Sequence, residues 1–73
     1  MNRILSHIKK STDAGMLAVW ENDAHCTRFE VGKGLSGFHA FRYSGMRLIV
    51  HHSGMTIGEA AKLVAGWLNE TRD

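Results

Sequence analysis

Proline is absent from this 73-residue chain, and cysteine occurs once, at Cys26. Without proline, every turn must rest on glycine, asparagine, aspartate or serine chemistry, and the 8 glycines supply much of it. A lone cysteine excludes an intramolecular disulfide and fits a reducing, cytoplasmic setting. No run approaches the ~20 apolar residues of a membrane span. The opening MNRILSHIKK has no apolar stretch long enough for a secretory signal. A strong excess of one charge is also missing: the formal net charge is +2, and the longest basic run is Lys9-Lys10. That balance permits contact with nucleic acid or an acidic protein surface without demanding either. Protonation of the 5 histidines below neutral pH would make the chain more basic and strengthen any electrostatic binding.

What is present is globular. With 44% hydrophobic and 22% charged residues, the chain has the composition of a folded domain rather than a disordered segment. Its length predicts one domain over residues 1–73. A chain this short buries roughly 60% of the surface its unfolded form exposes, so it folds with little margin. A partner or a second copy would add stability.

The pattern along the chain predicts helix, four strands, helix. Asn2 can cap a short helix over 2–10, with Ile4, Leu5 and Ile8 on one face. Ser11 to Gly15 breaks it. Met16 to Trp20 reads as a strand, and Thr27 to Val31 alternates as a second, with Asn22 to His25 as the hairpin loop between them. Gly32 to Gly37, with three glycines in six residues, reads as a mobile connection. Phe38 to Tyr43 and Met46 to His52 are the third and fourth strands, joined at Ser44-Gly45. Thr56 and Glu59 form a capping box. Beyond it, Ile57, Ala60, Ala61, Val64, Trp67 and Leu68 make one apolar stripe, with Glu59, Lys62, Asn69, Glu70 and Arg72 mainly off it. The expected fold class is α+β: a small antiparallel sheet of about four strands. A C-terminal amphipathic helix packs on one face, and a short helix precedes the sheet. Trp67 and Leu68 would pack on Phe29, Val31, Leu48 and Val50.

If Phe29, Phe38, Leu48 and Val50 face that helix, alternation turns another set outward. The set is Arg28, Glu30, His39, Phe41, Tyr43, Arg47, Ile49 and His51. Its mixture of aromatic and basic groups suits another protein or a nucleic acid. The first helix or a second copy covering it would serve packing alone, and a one-residue slip would exchange the two sets. Trp20, at a strand end beside Glu21, fits either a core position or an interface anchor.

Catalytic and metal patterns do not assemble. His51 and His52 are neighbours on a strand, so they point to opposite faces and cannot easily share an ion. His25 beside Cys26 has the same difficulty as a base–nucleophile pair, and no third residue obviously orients the histidine. Gly32-Lys33-Gly34 has neither the length nor the following helix of a phosphate loop. The reading is a non-enzyme with no cofactor and no metal.

Two family resemblances bear on function. The order of elements, with His25 in the first hairpin loop and Phe29 and Val31 after it, resembles the double-stranded-RNA-binding domain. That resemblance implies His25 as a minor-groove contact. The family's phosphate-clamping lysines at the start of the last helix are replaced here by Met55-Thr56-Ile57-Gly58-Glu59. The segment Met16 to Asn22 (MLAVWEN), with Gly66-Trp67-Leu68 in the last helix, resembles small phage-encoded anti-CRISPR proteins. These are compact, non-catalytic inhibitors that occupy a surface of a host nucleoprotein complex. That likeness implies Trp20 and Glu21 as contacts.

The leading expectation is a small cytoplasmic binding protein of phage or prophage type, monomeric or homodimeric. It would cover a surface of a host protein or nucleoprotein complex through Trp20, Glu21, Arg28, His39, Phe41, Tyr43 and Arg47. The alternative is a nucleic-acid-binding module. It would be of the double-stranded-RNA type or a sheet that reads DNA, and would use His25, Arg28, Lys33, Arg42 and Arg47.

Overall fold

The computed structural model describes residues 2–71. The expected cap at Asn2 involves a side chain outside the described set, and Arg72 also lies outside it. The elements are α1 (Asn2–Asp13), β1 (Ala18–Asn22), β2 (Thr27–Gly34), β3 (Gly37–Ser44), β4 (Arg47–Met55) and α2 (Ile57–Glu70). The fold is α+β. The four strands form one antiparallel meander in the order β1-β2-β3-β4. No helix among the described residues is long and apolar enough to cross a membrane.

Helix α1 runs three residues past its expected end at Lys10, into the expected break. Thr12 turns its hydroxyl back to the Ile8 carbonyl at 2.7 Å, which keeps this weak helix former in the last turn. Gly15, at φ +74°, then closes the helix. Its amide donates to the Thr12 carbonyl at 3.1 Å, and the Met16 amide donates to Ser11 at 2.9 Å. This is the paired bonding of a Schellman cap.

Strand β1 starts two residues later than Met16, and a single 3-10 turn over Asp23–His25 links it to β2. Asn22 caps that turn by accepting from the Ala24 amide at 3.1 Å. The expected mobile connection over Gly32 to Gly37 is not one. Gly32, Lys33 and Gly34 continue β2, Gly37 begins β3, and only Leu35 and Ser36 form the turn. The glycines lie in strand because side chains need the space above them, as described below.

Both helices lie on one side of the sheet. α1 packs on β1 and β2, α2 packs on β3 and β4, and the helices touch. The core is Ile8 from α1, Ala18, Phe29, Val31 and Ala40 from the sheet, and Ala60, Ala61, Val64 and Trp67 from α2. Four of these nine are alanine, which lets helix and sheet approach closely but leaves the core thin. Trp67 lies against Phe29 with ring centroids 5.2 Å apart.

The capping box at Thr56 is fully formed. The Thr56 hydroxyl accepts from the Glu59 amide at 3.1 Å, and the Thr56 amide donates to the Glu59 carboxylate at 2.9 Å. The backbone bond from Thr56, followed by its side-chain bond, holds the Glu59 carboxyl below its ordinary value of 4.5. A lowered folded value means the cap adds stability above the unfolded value and loses it as pH falls through the folded one. Thermal melts taken downward from about pH 5 should show this loss, and Glu59→Gln should flatten the slope. An unchanged slope in the variant would assign the acid sensitivity to other carboxylates.

Two edges bound the sheet. β1 is only five residues long. His7 of α1 places its Nε2 3.3 Å from the Val19 carbonyl on this strand. β4 carries two register shifts against β3, between Phe38 and Ala40 and between Arg42 and Tyr43. The second shift makes Ile49 the extra residue and pairs Leu48 with Tyr43. Leu48 was expected to face α2. The bulge instead turns it to the open side, where it is 48% exposed. Arg47 was expected on the open side but pairs with Ser44, which alternates with Arg42 on the helix side.

Candidate protein interface on the open sheet face

Residues directly opposite in an antiparallel pair share a face, so the registers place side chains on the open side in three rows. The first is Glu21, Arg28, Tyr43 and Leu48. The second is Val19, Glu30, Phe41 and His51. The third begins with Gly32 and His39. Of the expected outward set, Arg28, Glu30, His39, Phe41, Tyr43 and His51 are brought together here. Ile49 sits in the bulge, 49% exposed.

Two glycines shape this surface. A Cβ on Gly32 would lie 2.7 Å from Cδ2 of Leu17, so Leu17 occupies the space that strand position leaves empty. A Cβ on Gly34 would collide with the imidazole of His39, which folds onto the strand there. Beside it the ring of His51 stacks on Phe41 at 4.6 Å and 9°, and His39 lies 6.1 Å from His51. An open cleft of about 270 Å³ between this ladder and the α1–β1 connection is lined by Thr12, Leu17, Lys33, His39 and Phe41.

Arg28, the one guanidinium on the face, is shared by two carboxylates. Arg28 Nε is 2.8 Å from a Glu30 carboxylate oxygen, and its Nη1 is 3.8 Å from Glu21. The side chain of Glu30 is 14% exposed and sits beneath Arg28. What stays open around these groups is mostly apolar: Phe41 and Tyr43, half-buried, with Leu17, Leu48 and Ile49 more exposed, and the imidazole of His51 beside them.

The remaining sequence candidates lie elsewhere. Trp20 pairs with Phe29 and so faces the helices, where its ring meets His7 edge-on at 4.9 Å. It lines a separate groove with Phe29, Asn22, Asp23 and Leu68. Trp20 and its neighbour Glu21 therefore serve opposite faces. Arg42 also faces the helices. Its guanidinium lies 5.6 Å from the Phe29 ring centre and 5.8 Å from that of Trp67, and Nη1 donates to Glu70 at 3.2 Å. Lys33 lies on the helix side, 6.0 Å from the Phe38 ring. His25 sits in the 3-10 turn at one end of the sheet. The residues expected to contact nucleic acid are thus spread over both faces and one end, and two of the arginines are in ion pairs.

His51 and His52 do diverge: His52 pairs with Ala40 on the helix side, 6.3 Å from Trp67. Among the described residues no three His, Cys, Asp or Glu side chains converge as a metal site. Leu17, Val19 and Leu48 are face residues that sequence reasoning missed. Leu17 was legible by continuing the alternation of Val19 and Glu21 backwards. Leu48 was not, because a bulge has no mark in the strand's own sequence. No family profile, no curated protein and no solved structure matches this chain.

Proposed function

We propose that this chain is a small non-enzymatic binding protein that lays its open sheet face on the surface of a partner protein. One observation carries the reading: both helices cover the same side, and the other side is a largely apolar, aromatic surface whose one arginine is paired with acidic side chains rather than free for phosphate. A partner for such a face must itself offer apolar area with a mixed polar rim, which describes a protein better than a polyphosphate. The form of action would be that of the anti-CRISPR inhibitors which residues 16–22 and Gly66-Trp67-Leu68 resemble, covering a site on a host complex.

The test is a tagged pull-down from bacterial lysate, with and without nuclease, using the parent chain and Phe41→Ala/Tyr43→Ala. Buried aromatic anchors are worth about 2 kcal/mol or more each, so the double variant should lose its partner by several hundredfold or more. A stoichiometric protein that survives nuclease and disappears with the folded variant is the expected result. Capture undiminished in the folded variant would remove the face from the mechanism. Recovery that depends on nucleic acid would move the function to the alternative class.

A further inference from the structure

We infer that, when no other protein holds it, this same face is covered by a second copy of the chain, giving a two-fold dimer with the sheets packed face to face. A two-fold interface must be complementary to itself. The open face has that property. Its carboxylates, Glu21 and Glu30, stand on β1 and β2, and its imidazoles, His39 and His51, stand on β3 and β4. A two-fold axis along the strands, between β2 and β3, lays β1 over β4 of the second copy and β2 over β3. This is the aligned packing that twisted sheets favour. The rows stay in step. Arg28 then opposes Tyr43 of the second copy, a cation over a ring. Glu21, whose side chain is 57% exposed, lies beside His51 of the second copy, whose ring N–H can donate to its carboxylate. Phe41, Leu17, Leu48 and Ile49 fill the space between.

The area is adequate. Four strands at ~4.8 Å spacing and about eight residues at ~3.3 Å rise give roughly 500 Å² per face. Two faces together bury on the order of 1,000 Å², the lower limit for a specific interface. The dimer is therefore reversible rather than permanent, and a tighter-binding partner can displace it. The edges are poorer sites for self-association, since β1 is short and β4 is bulged twice. A thin, alanine-rich core in so small a chain adds a reason for further burial.

Self-association shares its face with the binding reading but does not depend on it, and sedimentation of the purified, nuclease-treated chain separates the two. The mass should rise with concentration from one chain to two and stop there. Phe41→Asp should leave only monomer. His51→Glu, on the exposed edge strand, should weaken the dimer about tenfold or more by setting like charges together. His51→Lys should hold it or strengthen it. A chain that stays monomeric at the highest concentration, or assembles beyond two, overturns the proposal. So does a dimer indifferent to both His51 variants when these are folded by circular dichroism. A monomer that still captures a partner through Phe41 and Tyr43 overturns the dimer and leaves the binding function standing.

Discussion

Trp67→Ala should cost about 3–5 kcal/mol, a large share of the stability of the fold. Trp67 is 5% exposed in the last turn of α2, against the ring of Phe29 and the guanidinium of Arg42. Truncating a buried tryptophan costs about 3–5 kcal/mol in lost burial and cavity formation. A domain of this length has only roughly 4–11 kcal/mol in total. Arg42 would also lose one of its two ring faces while its Nε, buried without a partner among the described residues, stays unsatisfied. Urea titration followed by far-ultraviolet circular dichroism gives the number. A loss below about 1 kcal/mol would mean that α2 is not the main cover of the sheet.

Gly37→Ala should be the most damaging small substitution. Gly37 has φ +131°, a conformation that strains any residue with a Cβ. The added carbon would also stand 2.9 Å from the Met55 carbonyl oxygen and 3.1 Å from the Gly54 carbonyl carbon. Both are backbone atoms, so no rotamer change relieves the contact, and β4 must move away from β3 at Phe38–Met55. Strain of about 1–3 kcal/mol adds to a further ~1–3 kcal/mol of overpacking. Gly66→Ala is the contrasting control. It lies within α2 with nothing within 4 Å of its added carbon. It should stabilise by about 0.5–1 kcal/mol, the helix-propensity difference. Thermal melts of the two variants should move in opposite directions. Equal shifts would mean that local geometry at Gly37 is not limiting.

The parts legible in the sequence were those governed by local rules. Helix α2 could be read from its capping box and its apolar stripe because both act within a few turns. The four-stranded antiparallel sheet followed from four strand-like segments with short links. Misreadings arose where distant residues decide. Gly32 and Gly34 look like a loop until Leu17 and His39 are set above them, and neither contact has a local signature. The bulge at Ile49 exists only relative to β3, so the orientations of Arg47 and Leu48 could not come from β4 alone. Arg42 shows the reverse case. The alternation Phe38, Ala40, Arg42 pointed it at the helices, yet its charge argued for solvent. Two ring faces and Glu70 resolve the conflict by giving the guanidinium a largely apolar seat with one counter-charge.

The doubly bulged β4 bears on how the molecule behaves when crowded. Growth of a fibril needs an edge that offers a straight, repeating row of amides and carbonyls to each arriving chain. On β4 the regular run between the two shifts is only Val50 to His52, and at the opposite edge β1 is short and has His7 beside the Val19 carbonyl. Neither rim can template a ribbon. Stickiness is thereby left to the open face, and the two-fold contact inferred for that face closes after one partner instead of growing into a fibre.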